Sequence, residues 1–282
     1  MTDQNGQNEC ECADYSQILQ HQRVPIKVIE RAMRIVEEVA QSRNGMSLTE
    51  LGHATHMPHP TVHRILQALV SRKWLIQDST TKKYSIGIGM FRLGNSYLAQ
   101  NPLEKIAEPV MTELRDITGQ SVHLAVLDGG YSVYIAVLAV SSEIRVMSRV
   151  GDRKPLYCCA TGKALLAFQP RDAVLAALKE TGLKRFTERT ITTIQDLLPE
   201  LEKIREQGYS LDLGEHNIHI RGVGAPIKGT DSRVVAALSA GGPSFELGDG
   251  QLEELIEPVT IAAAKISEHL GYEKSREYER SR

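Results

Sequence analysis

The segment 61–72 combines side chains that can read DNA bases with the spacing of an amphipathic helix. Its apolar residues Val62, Ile65, Leu66, Leu69 and Val70 recur at helical intervals and therefore share one face. The other face carries Thr61, His63, Arg64, Gln67, Ser71 and Arg72. Because Arg pairs bidentately with guanine and Gln with adenine, this face predicts base reading in a major groove.

The residues before this segment predict the first half of a helix-turn-helix. Ser47-Leu48-Thr49-Glu50 has the pattern of a capping box, which begins a short helix. Residues 56–58 allow only a tight turn before the next helix, in which Pro60 suits the first position. In this motif the second helix enters the major groove, so the helix that begins at Pro60 is the expected recognition helix.

The residues after it predict a wing. Strands are expected at 74–76 and 84–86, with a polar loop between them that ends in Lys82 and Lys83, two cations suited to phosphate or minor-groove contact. A helix is expected over 88–100. The residues predicted to contact double-stranded operator DNA are Ser47, His59, Thr61, His63, Arg64, Gln67, Arg72, Lys82 and Lys83.

The charge distribution supports a nucleic-acid partner for this part of the chain only. The 282 residues carry a net charge of −2, yet residues 23–100 hold eleven Lys and Arg against five acids. A solvated helical face would explain that excess equally well by charge alone. Aromatic residues make up 5% of the chain, which argues against a stacking platform for single strands.

A second chemical signal lies at 158–162. Cys158-Cys159-Ala160-Thr161-Gly162 is a run of small residues that is expected to open a helix over 161–168. Free backbone N–H groups and the positive helix end would favour a carboxylate there. Tyr157 stands where a Walker A loop needs glycine, so nucleotide binding is not expected.

The rest of the chain alternates predicted helices and strands, including a strand at 144–149 and one long helix at 252–270. Hairpin-like connections between them indicate an α+β fold with a mainly antiparallel sheet. The expected organisation is an acidic arm at 1–22, a winged helix-turn-helix at 23–87, a linker helix at 88–102, an effector domain at 103–275 and a tail at 276–282.

Several motifs together resemble the IclR family of bacterial transcriptional regulators over about 24–272. They include Thr61–Leu69 in the recognition helix, Arg149–Leu156, Ala160–Ala167 and Thr187–Thr192. The motifs Arg149–Leu156 and Thr187–Thr192 are most similar to the branch of the family that includes the 2-keto-3-deoxygluconate regulator KdgR. The resemblance implies a GAF-like effector domain, a homodimer formed through the N-terminal half, in some members a dimer of dimers, and repression more often than activation.

The resemblance also implies the effector site. Family members bind small 2-oxo acids through backbone at the positions of Ala160 and Thr161. Gly162, next to them, is expected to contribute as well. The other positions of this chain that match the family's ligand-binding positions are Val146, Asp212, Ile220, Gly222, Ser239 and Gly241. Family members frequently have Cys and Ser where Gly222 and Gly241 stand. We therefore expect a larger, hydroxylated carboxylic acid, such as a sugar acid, in place of glyoxylate or pyruvate.

Two alternatives from other functional classes are compatible with some of these residues. Cys158 or Cys159 could combine with His123, His216 or His219 and with Asp212 as a hydrolase, although no nucleophile signature surrounds them. A ligand sensor that does not bind DNA is the other alternative. Two weaker metal hypotheses are Cys10 with Cys12, and His216 with His219 near Glu215. The favoured prediction is a cytoplasmic regulator with no catalytic residue, no metal ion, no cofactor and no membrane contact.

Overall fold

The computed structural model describes residues 27–140 and 148–273. The chain divides into two compact units, with the boundary between Gln100 and Asn101. None of the helices in the described ranges is long and apolar enough to cross a membrane.

The first unit is a three-helix core followed by a hairpin and a fourth helix. Its elements are α1 (Lys27–Gln41), α2 (Leu48–Thr55), α3 (His59–Ser71), β1 (Leu75–Gln77), β2 (Tyr84–Ile86) and α4 (Ile88–Gln100). The two strands pair antiparallel, from Leu75 opposite Ile86 to Gln77 opposite Tyr84. This arrangement is the winged helix-turn-helix that the sequence predicts.

The core of this unit uses part of each amphipathic helix. Ile35 and Leu66 are fully buried, as is Leu75 on β1. The apolar residues Val28, Ile29 and Ile35 of α1 recur at helical intervals, but this apolar face is covered over only part of its length, because Val28 and Ile29 are about half exposed. An apolar period identifies the residues of one face but does not say how many of them a single chain covers.

The second unit is an α+β domain built on one antiparallel sheet. Its strands are β3 (Ser121–Asp128), β4 (Tyr131–Leu138), β5 (Arg153–Pro155), β6 (Ser210–Asp212), β7 (Ile220–Lys228) and β8 (Val234–Pro243). Their spatial order is β5-β4-β3-β8-β7-β6. Its helices are α5 (Leu103–Thr118), α6 (Ala160–Leu166), α7 (Arg171–Thr181), α8 (Ile194–Gln207), α9 (Asp249–Glu254) and α10 (Ile256–His269), with a 3₁₀ turn at Leu156–Cys158.

Alternation along the central strands divides the sheet into two faces. On β8, Leu238 and Ala240 belong to the cluster that packs under α5 and α10, whereas Ala237 belongs to the cluster around α6. Ser239 and Gly241 therefore point to the same side as α6. That side carries the polar site described below.

Two details depart from the sequence predictions, and a third prediction is largely untested. The helix expected over 252–270 is interrupted at Leu255 and forms α9 and α10. The strand β5 was not predicted. Most of the strand expected at 144–149 lies outside the described residues.

Candidate DNA-binding surface and ligand cavity

The helix α3 presents the polar face that the sequence predicts. Val62 and Leu66 are fully buried, while His63, Arg64 and Gln67 are exposed on the opposite side. Thr61 is half-buried, and the exposed Arg72 caps the C-terminal end. The long hydrogen-bonding side chains of Arg64 and Gln67 therefore extend into solvent from a helix whose opposite face packs against the core.

The start of α3 is fixed by backbone contacts and by a histidine. Thr61 N–H and Val62 N–H donate to Pro58 O at 2.9 and 3.1 Å. The ring of His59 lies over Gly52 of α2, where an added Cβ would be 2.7 Å from His59 Cδ2. His59 is nonetheless exposed to solvent.

Ser47 is committed to the cap of α2. Its Oγ accepts from Glu50 N–H at 3.3 Å, and its own N–H donates to Glu50 Oε2 at 2.7 Å. The predicted capping box is therefore confirmed. Of the nine predicted DNA-contacting residues, Ser47 is the one whose hydroxyl has this structural use.

The wing loop is ordered by one aspartate. Asp78 Oδ1 accepts from Thr80 N–H, Thr81 N–H and the Thr81 hydroxyl at 3.0, 2.6 and 2.9 Å. Lys82 is exposed and adopts a left-handed conformation with φ 58°. Lys83 is half-buried, with Nζ 3.7 Å from Glu50 Oε1. The two lysines thus differ in how freely their charge faces solvent.

The second unit contains a cavity of about 700 Å³ on the α6 side of the sheet. Seven of the predicted effector residues line it, and they are Ala160, Thr161, Asp212, Ile220, Gly222, Ser239 and Gly241. Gly162 is not among its lining residues, since it packs against Leu156, whose oxygen an added Cβ would approach to 2.4 Å. Val146 lies outside the described residues.

Strand register explains why residues far apart in sequence meet in the cavity. His123 lies opposite Ser239, and Ser239 lies opposite Gly224. One step further along the same face, Gly241 lies opposite Gly222, which lies opposite Asp212. Directly opposed residues share a face of the sheet.

The two glycines permit a close approach of β7 and β8. An added Cβ on Gly222 would lie 2.8 Å from Ala240 O, and one on Gly241 would lie 2.6 Å from Arg221 O. The space they leave is therefore not simply room for a ligand. It also reflects a strand spacing that a side chain at either position would disturb.

A buried ion cluster supports the wall beside Asp212. The Lys163 ammonium donates to Glu215 Oε1 at 2.5 Å and to Glu200 Oε1 at 3.1 Å, and its side chain is 2% exposed. Asp212 Oδ1 accepts from the N–H groups of Gly214 and Glu215, each at 3.0 Å. Burial raises the pKa of Asp212, and burial raises the pKa of Glu215 to about 7.

The same wall is tied to the 187–190 segment. The Thr187 hydroxyl donates to Gly214 O at 2.7 Å, and the Thr190 hydroxyl donates to Glu215 O at 2.6 Å. These contacts explain what the Thr187–Thr192 motif does locally. It holds the loop that follows Asp212 against the body of the unit.

Sequence reasoning missed two of the polar residues that line the cavity. His123 was considered only as part of a hydrolase, and Lys154 was not assigned to the site at all, yet both line it. The ring of His123 lies 4.8 Å from that of Tyr134, another lining residue. A single histidine within the apolar strand Val122–Val126 was the available signal for the first.

Cys158 and Cys159 lack the exposure and the lowered pKa of nucleophilic cysteines. Both are buried, and their thiols donate to Pro155 O at 3.5 and 3.6 Å. Burial raises the pKa of Cys159 to about 12 and that of Cys158 as well, so both stay protonated near neutral pH. Within 27–140 and 148–273, no three His, Cys, Asp or Glu side chains are placed to hold a metal, and Cys10 and Cys12 lie outside those ranges.

A winged helix-turn-helix followed in the same chain by an α+β unit is the domain arrangement of a DNA-binding transcriptional regulator. Sequence models of the IclR helix-turn-helix domain and of the bacterial transcriptional regulator IclR C-terminal region match residues 28–79 and 95–268. The chain belongs to the IclR family. The family resemblance and the α+β fold class predicted from sequence are both confirmed.

Individual relatives cover most of the chain. The HTH-type transcriptional regulator KdgR of Escherichia coli K12 is 34% identical over 247 residues, which are 88% of this chain and 94% of that protein. The HTH-type transcriptional repressor AllR of the same strain is 31% identical over 87% of this chain and 90% of its own length. The crystal structure of the Thermotoga maritima IclR has a TM-score of 0.70 at 30% identity, covering 87% of this chain and 99% of that one.

Proposed function

We propose that the protein is a repressor of a catabolic operon that binds a palindromic operator as a homodimer and is controlled by a small carboxylic acid. The observation that carries the DNA-binding part is the exposed His63, Arg64 and Gln67 face of α3, opposite a fully buried Val62 and Leu66. A helix held in this way presents its polar side chains at fixed positions, as base reading requires.

In this proposal Arg64 and Gln67 contact base edges, while Lys82 and Lys83 contact phosphates. Arg64→Ala should lose about 1–3 kcal/mol of binding and relax specificity at one base pair per half-site. Gel-shift titration with genomic fragments and then with the mapped operator measures both effects. Equal affinity and selectivity of the variant would show that α3 docks in another way.

The homodimer is supported by apolar side chains that the first unit leaves uncovered. On α1, Val28 is 54% and Met33 62% exposed, and on α4, Ile88 is 59% and Phe91 62% exposed. Exposed apolar groups in this number are typical of an interface. Sedimentation of the wild type against Met33→Glu and Phe91→Glu tests the assignment, and a wild-type monomer that binds DNA would contradict it. A dimer of dimers is the larger assembly to look for.

The effector is proposed to occupy the cavity of the second unit. Its walls carry the backbone of Ala160 and Thr161, the hydroxyl of Ser239 and the carboxylate of Asp212. A carboxylate would lie near the start of α6, and ligand hydroxyls would reach Ser239 and Asp212. A polar lining of this composition suits a hydroxylated acid, with 2-keto-3-deoxygluconate as the first candidate.

Calorimetry with sugar acids, pyruvate, glyoxylate and aromatic acids tests the effector. Asp212→Ala should lose about 1–3 kcal/mol if its carboxylate accepts a ligand hydroxyl. Thr161→Phe should fill the cavity without preventing dimer formation. Tightest binding of an uncharged or aromatic ligand would contradict the sugar-acid assignment, and unchanged affinity in both variants would contradict the site.

A further inference from the structure

Two polar groups on the cavity wall lack a partner within the described part of the chain. His123 is 6% exposed, and its Nε2 is buried with no hydrogen bond. Lys154 is half-buried, and no carboxylate of the described ranges forms an ion pair with it. A buried polar atom without a partner is costly unless something else supplies the bond.

Lys154 lies close to the start of α6. It stands directly opposite Ser132 in the pairing of β4 with β5. The Ser132 hydroxyl is in turn 2.8 Å from the Thr161 hydroxyl. Opposed side chains begin only about 5 Å apart, so Lys154 and Thr161 flank the same serine on the cavity side of the sheet.

The other cations near the cavity are already paired. Lys163 is held by Glu215 and Glu200. Arg221 donates to Leu247 O at 2.9 Å and to Asp249 Oδ1 at 2.7 Å. Of these three cations, Lys154 is the one whose charge is left for an anionic ligand.

His123 supplies a neutral hydrogen-bonding group on the adjoining wall. Burial, assisted by the charge of Lys154, lowers its pKa to about 4, so the imidazole is uncharged near neutral pH. A neutral Nε2 can donate to an oxo group or accept from a hydroxyl. It is opposite Ser239, the residue already proposed to contact the ligand.

We infer that Lys154 and His123 are effector-binding residues. The ammonium of Lys154 forms an ion pair with the carboxylate of the acid. Nε2 of His123 donates a hydrogen bond to an oxo oxygen, or accepts one from a hydroxyl group, of the same acid. This inference rests on the proposed control by a carboxylic acid and adds to it. It assigns the selection for negative charge to a side chain on β5, beside the backbone groups of Ala160 and Thr161.

The test for Lys154 compares an acid with its uncharged counterpart. Calorimetry first identifies the tightest binder among 2-keto-3-deoxygluconate, D-gluconate, pyruvate and glyoxylate, and then its primary amide is measured. Lys154→Met should lower affinity for the acid by about 10- to 100-fold and leave the amide nearly unchanged. The matched control is Lys179→Met, at an exposed position on α7 that does not line the cavity. It should change neither the affinity for the acid nor the affinity for the amide.

The test for His123 separates recognition from folding. His123→Leu removes an unpartnered buried polar atom, so the unfolding midpoint of the ligand-free protein should stay the same or rise. Affinity should fall about 10-fold for acid and amide alike, because the lost bond does not involve the charge. A lower midpoint with unchanged affinity would show a structural histidine and overturn its assignment.

The outcomes distinguish this inference from the function on which it rests. If an acid binds the wild type and Lys154→Met keeps the full preference for acid over amide, Lys154 is not the carboxylate partner, while acid control stands. If none of the four acids binds the wild type, both the acid effector and its assigned residues are wrong.

Discussion

The ammonium of Lys163 on α6 and the carboxylate of Glu215 after β6 form a hydrogen-bonded ion pair 2.5 Å long, with both side chains almost fully removed from solvent. The pair joins α6, whose first residues line the cavity, to the loop after β6 that forms part of the cavity wall. Neither charge can be left alone inside the unit without a large desolvation cost.

Glu215→Gln is therefore expected to destabilise the protein by about 3–5 kcal/mol, because Glu200, which is only half buried, is then the one carboxylate of the described residues that still forms a salt bridge with Lys163. The matched control is Lys265→Met, which removes an exposed pair with Glu113 at 2.6 Å and should cost less than about 1 kcal/mol. Urea unfolding measures both. Similar small losses in the two variants would mean that the buried pair is not a structural link.

The wing lysines are expected to differ in DNA binding. Lys82 is exposed, whereas Lys83 has a carboxylate of Glu50 at 3.7 Å that partly offsets its charge. Lys82→Ala should lower the slope of log affinity against log salt by about 1, and Lys83→Ala should lower it less. Operator titrations at several salt concentrations give the slopes. A larger effect of Lys83 would reverse the proposed ranking.

The contact between Gly52 and His59 gives a way to disturb the recognition helix from behind. Gly52→Ala should improve helix propensity by up to about 1 kcal/mol, yet its new methyl group must displace the imidazole, which would be 2.7 Å away. We expect unchanged or higher thermal stability together with weaker operator binding. In the Gly52→Ala/His59→Ala double variant the loss should not exceed that of His59→Ala alone, since the displaced group is then absent.

Stability should depend on the protonation of His123. Its pKa is about 4 in the folded protein against an ordinary value of 6.5, so the unfolded chain binds the extra proton between those limits. The free energy of unfolding should therefore fall as pH decreases from about 6.5 to 4, by roughly 3 kcal/mol from this residue. The charge of Lys154 also lowers the pKa of His123, whereas the charge of Asp152 raises it. In His123→Leu the free energy of unfolding should depend less on pH between about 6.5 and 4. The same pH dependence in the variant and the wild type would show that His123 does not have the lowered pKa.

The sequence predicted the elements whose pattern is local. The recognition helix, the capping box of the helix before it and the wing follow from apolar periodicity and turn residues within about 40 positions. Asp212 and Ser239 were predicted through family resemblance. His123 and Lys154 were not assigned as ligand residues because their place in the cavity depends on the pairing of β3 with β8 and of β4 with β5. No local pattern specifies which distant strand will lie opposite.

The exposed end of α1 shows a second limit of prediction from sequence, since apolar periodicity does not determine which apolar residues are buried. Val28 and Ile29 fit the apolar period as well as Ile35 does, but of these three only Ile35 is covered within the described part of the chain. Sequence periodicity reports that a face is apolar. It does not report which other residues, if any, pack against that face.

Gly222 on β7 and Gly241 on β8 lie opposite each other and both line the cavity. A Cβ on Gly241 would lie 2.6 Å from Arg221 O and 3.0 Å from Gly222 Cα, both backbone atoms that cannot rotate away. Gly241→Ala should therefore separate β7 from β8 locally and destabilise the protein by about 1–3 kcal/mol. Gly250→Ala is the control, because an added Cβ in α9 meets no atom within 4 Å and should be neutral or stabilising by up to about 1 kcal/mol. If Gly241→Ala is as stable as the wild type and binds the acid more weakly, the glycine serves the ligand and not the strand spacing.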